Sequence, residues 1–339
     1  MKTMECQYGE LRGITNFMTY KSGSLKSCIV DTRNEVTTSA GTLVPQYRPP
    51  VLGERQKKYR SSLSFFENGQ IKSAALDDST PLQTPLGVFH AELVTFYEDG
   101  AVNRVFPLNG KIDGYWSEQN EGELAEVFDF DLPVGQFSAK IIALHFYPSG
   151  ALKSLTLWPG EKIVLQSPVG EISARTGFAL YENGSLRSLE PAEPANLLTP
   201  IGVIAAYDPE MIGMNADQNS VQFDPEGNLI SVKTVHTGIK VIEEDGSLRQ
   251  IEPVEAPSLI DIFEMRTVSM QVDFTGELVQ IEADRIYAYN LEETDIATFI
   301  RSQVLRDACS ACAGCGSGGS CGSGDDGVCE KGDDCFKNQ

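Results

Sequence analysis

The chain has 339 residues, 41% of them hydrophobic, and a net charge of −21 from 48 acidic and 27 basic side chains. That field repels phosphate, so neither nucleic acid nor an anionic membrane is an expected partner. There is no run of roughly eighteen apolar residues and no apolar stretch in residues 1–13, so no membrane span and no secretory signal are expected, and the expected location is cytoplasmic.

The first predicted element is a tight hairpin at Tyr20-Lys-Ser-Gly-Ser-Leu-Lys-Ser27. The same pattern returns as Phe66-Glu-Asn-Gly-Gln-Ile-Lys-Ser73, Tyr147-Pro-Ser-Gly-Ala-Leu-Lys-Ser154 and Tyr181-Glu-Asn-Gly-Ser-Leu-Arg-Ser188. A looser copy starts at Tyr97, and degenerate ones centre on Gly227, Gly246 and Gly276. Asn-Gly and similar pairs supply positive φ at a two-strand turn. The aromatic before the turn and the aliphatic after it are expected to share one face and pack across the strand pair.

A second motif follows most copies: Thr38-Ser-Ala-Gly41, Thr84-Pro-Leu-Gly87, Ser167-Pro-Val-Gly170 and Thr199-Pro-Ile-Gly202. A unit therefore reads as hairpin, connecting strand, second turn and strand. Irregular spacing of the clear glycines at 23, 69, 150 and 184 disfavours a closed propeller. The expected fold is mainly β, an open twisted antiparallel sheet or a β-solenoid of repeated hairpins over residues 1–290.

Within that body, Arg48, Arg55, Lys57, Lys58 and Arg60 form a basic cluster beside Pro49 and Pro50. It reads as a solvated loop, with a site for an acidic partner as the alternative. Asp129 and Asp131 flank Phe130 and share one strand face, which reads as an acidic solvent face rather than an acid–base pair. His90, His145 and His236 have no second histidine at ligand spacing. No P-loop, dinucleotide fingerprint or nucleophile elbow is present. The body thus carries no catalytic set, and the expected function is that of a non-catalytic interaction or scaffold protein with a protein partner or self-association.

Past Tyr289, Asn290 with Glu293 reads as a helix cap, and Ile296, Phe299, Ile300 and Val304 form an apolar stripe. A short C-terminal helix over 291–307, capping the open end of the sheet, is expected. Residues 308–339 hold Cys309, Cys312, Cys315, Cys321, Cys329 and Cys335 among Gly, Ser and Asp, with five acids and two lysines. Such a segment is either disordered or organised through its sulfurs. The six thiols are candidate ligands for zinc or an iron–sulfur cluster in electron transfer or metal handling. A mobile tail and thiol exchange are the other readings.

Phe66-Glu-Asn-Gly-Gln-Ile-Lys-Ser73 and Tyr181-Glu-Asn-Gly-Ser-Leu-Arg-Ser188 resemble the variant MORN repeat of bacterial proteins, and Pro107-Leu-Asn-Gly-Lys-Ile-Asp-Gly-Tyr-Trp116 resembles its second half. The resemblance implies hairpin architecture and a scaffold or interaction role. Longer units and the Thr-Pro-x-Gly motif depart from that family.

Overall fold

The computed structural model describes residues 2–301 apart from 52, 59–60, 212–218 and 258–264. The chain from Met1–Ile300 forms one compact unit. Its main feature is an open, antiparallel sheet of 18 strands.

Neighbouring strands of the sheet follow the chain with few departures. Lys2–Cys6, Gly9–Thr19, Leu25–Val30, Leu63–Phe65, Ile71–Thr84, Gly87–Phe96 and Val102–Phe106 pair in that order. Val102–Phe106 then pairs with Gly135–Phe146, and the ladder continues through Leu152–Leu157, Gly170–Leu180, Leu186–Pro191 and Val221–Phe223. Leu229–Thr234, Met270–Thr275, Leu278–Glu282 and Ile286–Asn290 end this path, and Val127–Leu132 and Ile163–Ser167 join the sheet as side branches on Gly135–Phe146 and Gly170–Leu180. Among the described residues, the strands at the two ends each pair on one side only, which is what leaves the sheet open.

Seven turns share one hydrogen-bond pattern. In each, the amide of the turn glycine donates to the carbonyl three residues earlier, at 2.8–3.1 Å, for Gly23, Gly69, Gly100, Gly150, Gly184, Gly227 and Gly246. All seven glycines have φ between +78° and +92°, the region a side chain disfavours. At Gly69, Gly100, Gly184 and Gly246 the preceding Asn or Asp also accepts from the amide after the glycine, at 2.9–3.0 Å. At Gly227, where Asp224 replaces the aromatic, its carboxylate instead takes both the backbone and side-chain N–H of Asn228, each at 2.8 Å.

The residue opposite the aliphatic is not the turn aromatic but the one before it. Phe65 lies across from Ile71, Phe96 from Val102, Phe146 from Leu152 and Leu180 from Leu186. These eight side chains are buried in the core. The half-buried turn aromatic instead leans along the ladder. Tyr20, Tyr97, Tyr147 and Tyr181 each donate a hydroxyl hydrogen bond of 2.8–3.0 Å to the carbonyl just before the next turn, those of Phe65, Phe146, Leu180 and Phe223. The lysine after the aliphatic lies back over the ring, at 5.6 Å for Lys26 on Tyr20 and 5.7 Å for Lys153 on Tyr147, within cation–π range.

The second motif forms a second set of hairpins. Thr38, Thr84, Ser167 and Thr199 each accept from the amide two residues on, at 3.2–3.3 Å, and donate to the glycine carbonyl at 2.6–3.0 Å. A fifth such turn, Leu132-Pro-Val-Gly135, lacks the hydroxyl and escapes the motif. Prolines therefore stand inside the turns. Four of these five tips reach the aromatic-type turn two further along the chain, while Gly202 of the remaining one lies against Thr298. Ser39 Oγ donates to the Gly100 carbonyl at 2.7 Å, and Pro85, Pro133 and Pro168 lie against Gly150, Gly184 and Gly227.

Two expectations are corrected here. The predicted helix over 291–307 does not form over its described part: Ile296–Ile300 is a strand that pairs with Thr237–Ile242. Asn290 does accept from the Glu292 amide at 2.9 Å, but it closes a turn rather than starting a helix. Ile296, Thr298 and Ile300 are β-branched and favour a strand, and Thr237–Ile242 offers them a free ladder edge. Residues 107–116, for which the resemblance implies a hairpin, run instead as an irregular excursion that leads to the α-helix Glu118–Glu123. Ser117 and Asn120 close a capping box at its start.

Candidate functional site

The basic cluster is not a solvated loop. Arg55 is largely buried, and its guanidinium bridges two carboxylates that are buried with it. Nη1 and Nη2 each donate to Glu92 at 2.8 Å, while Nε reaches Glu121 Oε2 at 2.6 Å and Nη2 reaches Oε1 at 2.5 Å. Glu92 also accepts the Asn109 amide at 2.8 Å, and Glu121 accepts the Gly110 amide and the Trp116 Nε1 proton, each at 2.7 Å. Gly110 is needed there because a Cβ would fall 2.1 Å from the Glu121 carboxylate. Burial alone would push the Glu121 carboxyl up, but Arg55, Trp116 and Gly110 outweigh it and hold it below the usual carboxylate range.

Around this network the loop is pinned on both sides. Asp77 takes the amides of Tyr47 and Arg48 at 3.2 and 3.1 Å and pairs with the Arg48 side chain, which also pairs with Asp78. Lys57 Nζ donates to the carbonyls of Leu76 and Asp77 at 2.7 and 2.6 Å, with Glu92 Oε1 at 3.8 Å. Lys57 bridges to Gly110, and the Lys58 and Lys111 amides donate to the Asn109 and Gln56 carbonyls. Between this loop and the strand Leu25–Val30 lies a cavity of about 800 Å³. Lys58 is exposed, and Arg60 lies outside the described residues.

A further buried carboxylate sits along the sheet. Glu190 is fully buried and takes the Ser220 amide at 2.8 Å and the Asp208 amide at 3.3 Å, with Arg175 Nη2 at 3.7 Å. Burial pushes its pKa up against the opposing pull of Ser220, Asp208 and Arg175. Arg175 precedes a bulge at Thr176 and Gly177, and Thr176 has the one positive φ of a non-glycine among the described residues, +58°. The bulge turns Arg175 onto the Pro191 and Asp208 carbonyls and over the Tyr207 ring, on which His236 stacks at 5.9 Å.

The remaining candidates do not converge. Asp129 and Asp131 are exposed and accept from Ser138 and Gln136, their cross-strand neighbours, as a solvent face would. His90 is exposed beside Glu126, and His145 is buried in the sheet. The Cys28 thiol is buried and pushed up to about 12, and Cys6, half-buried, is raised in the same direction. Cys309, Cys312, Cys315, Cys321, Cys329 and Cys335 lie outside the described residues. Among the described residues no group of three or more His, Cys, Asp or Glu side chains could hold a metal ion. The expected zinc or iron–sulfur cofactor is therefore corrected for the described residues, which supply no ligand set for it. No helix of the described residues is long and apolar enough to cross a membrane.

Sequence reasoning missed Glu92, Glu121 and Glu190. Glu92 and Glu190 stood in plain sight as single charges inside apolar strand runs, Ala91-Glu-Leu-Val94 and Leu189-Glu-Pro191. A charge at a buried strand position demands a partner, and that demand was the available signal. Glu121, on a short helix of polar residues, offered none.

No family model matches the chain, and neither a curated protein nor a solved structure matches it. The turn motifs therefore do not place it in the MORN family, and the MORN-like description is corrected accordingly.

Proposed function

We propose that the protein is a non-catalytic interaction scaffold that binds a protein partner or a second copy of itself. The observation carrying this reading is how its buried ionic groups are used. Asp77, Glu92, Glu121 and Glu190 each take backbone amides from a loop crossing the sheet. A carboxylate that accepts backbone amides ties a loop to the sheet, and Glu121, with four hydrogen bonds, has no acceptor site left over. The loops are thereby fixed as surfaces, and the sheet presents them in sequence.

The hairpin formed by Ala195–Thr199 and Gly202–Ala206 gives the reading a surface to test. Leu198 and Val203 lie directly opposite each other there, 80% and 49% exposed. An adjacent pair of exposed aliphatics on one sheet face is a place for a contact. The test measures the mass of the full-length chain by sedimentation and recovers bound protein quantitatively. Either a dimer or a stoichiometric partner, lost in Leu198→Lys/Val203→Lys, is the expected result. A monomer that retains nothing, or retention unchanged by the double substitution, overturns the reading.

A further inference from the structure

We propose that the cavity between the strand Leu25–Val30 and the 46–58 loop binds a small organic anion with an apolar body, such as an aromatic or medium-chain carboxylate. The inference does not rest on the scaffold reading. At about 800 Å³ the cavity falls inside the range of small-molecule sites, roughly 300–1,000 Å³. Its wall has two chemistries. Ile29, Val30, Tyr47, Pro49 and Pro50 supply an apolar side, and Arg48, Lys57, Lys58 and Lys111 line the rest with Asp31 as the one acid. In a chain of net charge −21 that local balance is inverted.

The four cations are not equally occupied. Arg48 is taken up by Asp77 and Asp78 and shapes the wall. Lys57 donates to two neutral carbonyls, and its nearest carboxylate oxygen, at 3.8 Å, already serves Arg55. Burial pushes the Lys57 ammonium down, the mark of a charge short of solvation. Lys111 reaches Asp113 only at 3.6 Å and is half exposed, and Lys58 is exposed. An anion in the cavity meets three lysines whose backbones are tied together by the Lys57–Gly110 bridge and by the Lys58 and Lys111 amide bonds to Asn109 and Gln56. Such a site is preorganised, because the loop is already pinned by Asp77 and Glu92. The apolar wall selects a ligand with a hydrocarbon body, since a small inorganic ion would leave that side wet.

The test is titration calorimetry of the full-length chain with 8-anilinonaphthalene-1-sulfonate, beside its uncharged relative N-phenyl-1-naphthylamine. The expected result is one site per chain, with the uncharged probe at least about tenfold weaker. Lys58→Glu/Lys111→Glu should weaken sulfonate binding at least about tenfold relative to Lys21→Glu/Lys162→Glu, which makes the same charge change at exposed positions outside the cavity. If the first pair perturbs the fold, Lys58→Gln/Lys111→Gln replaces it, with at least about a threefold loss expected. A smaller loss, no binding, or equal affinity for the uncharged probe overturns the proposal.

Discussion

The hydroxyl of Tyr147 donates to the carbonyl of Leu180 at 3.0 Å, tying one turn to the strand that leads into the next. Tyr97 and Tyr181 make the same bond on either side of it. Each removes a partly buried carbonyl from competition with water, and a bond of this kind contributes about 1 kcal/mol net. Tyr147→Phe should therefore lower unfolding stability by about 1 kcal/mol, read as a shift in urea midpoint at constant slope. Phe66 occupies the equivalent position without a hydroxyl, so Phe66→Tyr should change stability in the opposite direction by up to about 1 kcal/mol. Losses in both variants would separate the ring's packing from its hydroxyl and remove the tie from the account.

Two adjacent bulge residues respond in opposite directions. Gly177 has φ +145°, and a Cβ there would lie 2.1 Å from the Leu155 carbonyl oxygen across the ladder. Neither strand can retreat without breaking pairing, so Gly177→Ala should cost about 3 kcal/mol or more. Thr176, at φ +58°, holds a β-branched side chain in the left-handed region. Thr176→Asn should raise stability by about 0.5 kcal/mol, because Asn tolerates that region better. Calorimetric melting of the two variants checks both signs.

Much of the local fold was legible because its signals are local. Positive φ at Gly23, Gly69, Gly150 and Gly184 follows from the glycine that closes each tight turn with a bulge, and the Thr and Ser hydroxyls at the second turns follow from short-range chemistry. What failed was non-local. Whether Ile296–Ile300 became helix or strand depended on an edge at Thr237–Ile242 more than fifty residues away, and a capping residue such as Asn290 serves turns as well as helices. Likewise Arg55 reads as solvated until Glu92 and Glu121, 37 and 66 residues distant, are brought to it.

The body's two cysteines should differ from exposed thiols in reactivity. Cys28 is 1% exposed and its thiol is pushed up to about 12 by burial, with Cys6 a smaller contributor. The thiolate is the reactive form, so at pH 8 Cys28 should resist iodoacetamide in the native protein and react once urea unfolds it. Mass mapping of the modified residues gives the answer. Native labelling of Cys28 at the rate of an unfolded control would show that its strand opens far more readily than its pairing with Phe17 and Leu63 implies.

The Arg55 network gives stability a defined pH dependence. Glu121 is held below its unfolded range, so its folded form releases the proton more readily than its unfolded form. Between the two values the unfolded chain binds more protons, and stability rises with pH. This contribution is fully present above the unfolded carboxyl value of about 4.3 and is lost as pH falls through the lower folded value. Glu121→Gln removes the titration and leaves Arg55 with Glu92 alone. At pH 7 the variant should be less stable by about 3 kcal/mol, the scale for breaking one partner of a buried pair. As pH is lowered from 6 to about 3, the gap between wild type and variant should narrow, because the wild-type carboxyl then becomes protonated as well. Urea unfolding of both proteins across that series measures the gap directly. A gap that stays constant with pH would mean that Glu121 acts through its shape and its hydrogen bonds to Gly110 and Trp116, with no contribution from its charge.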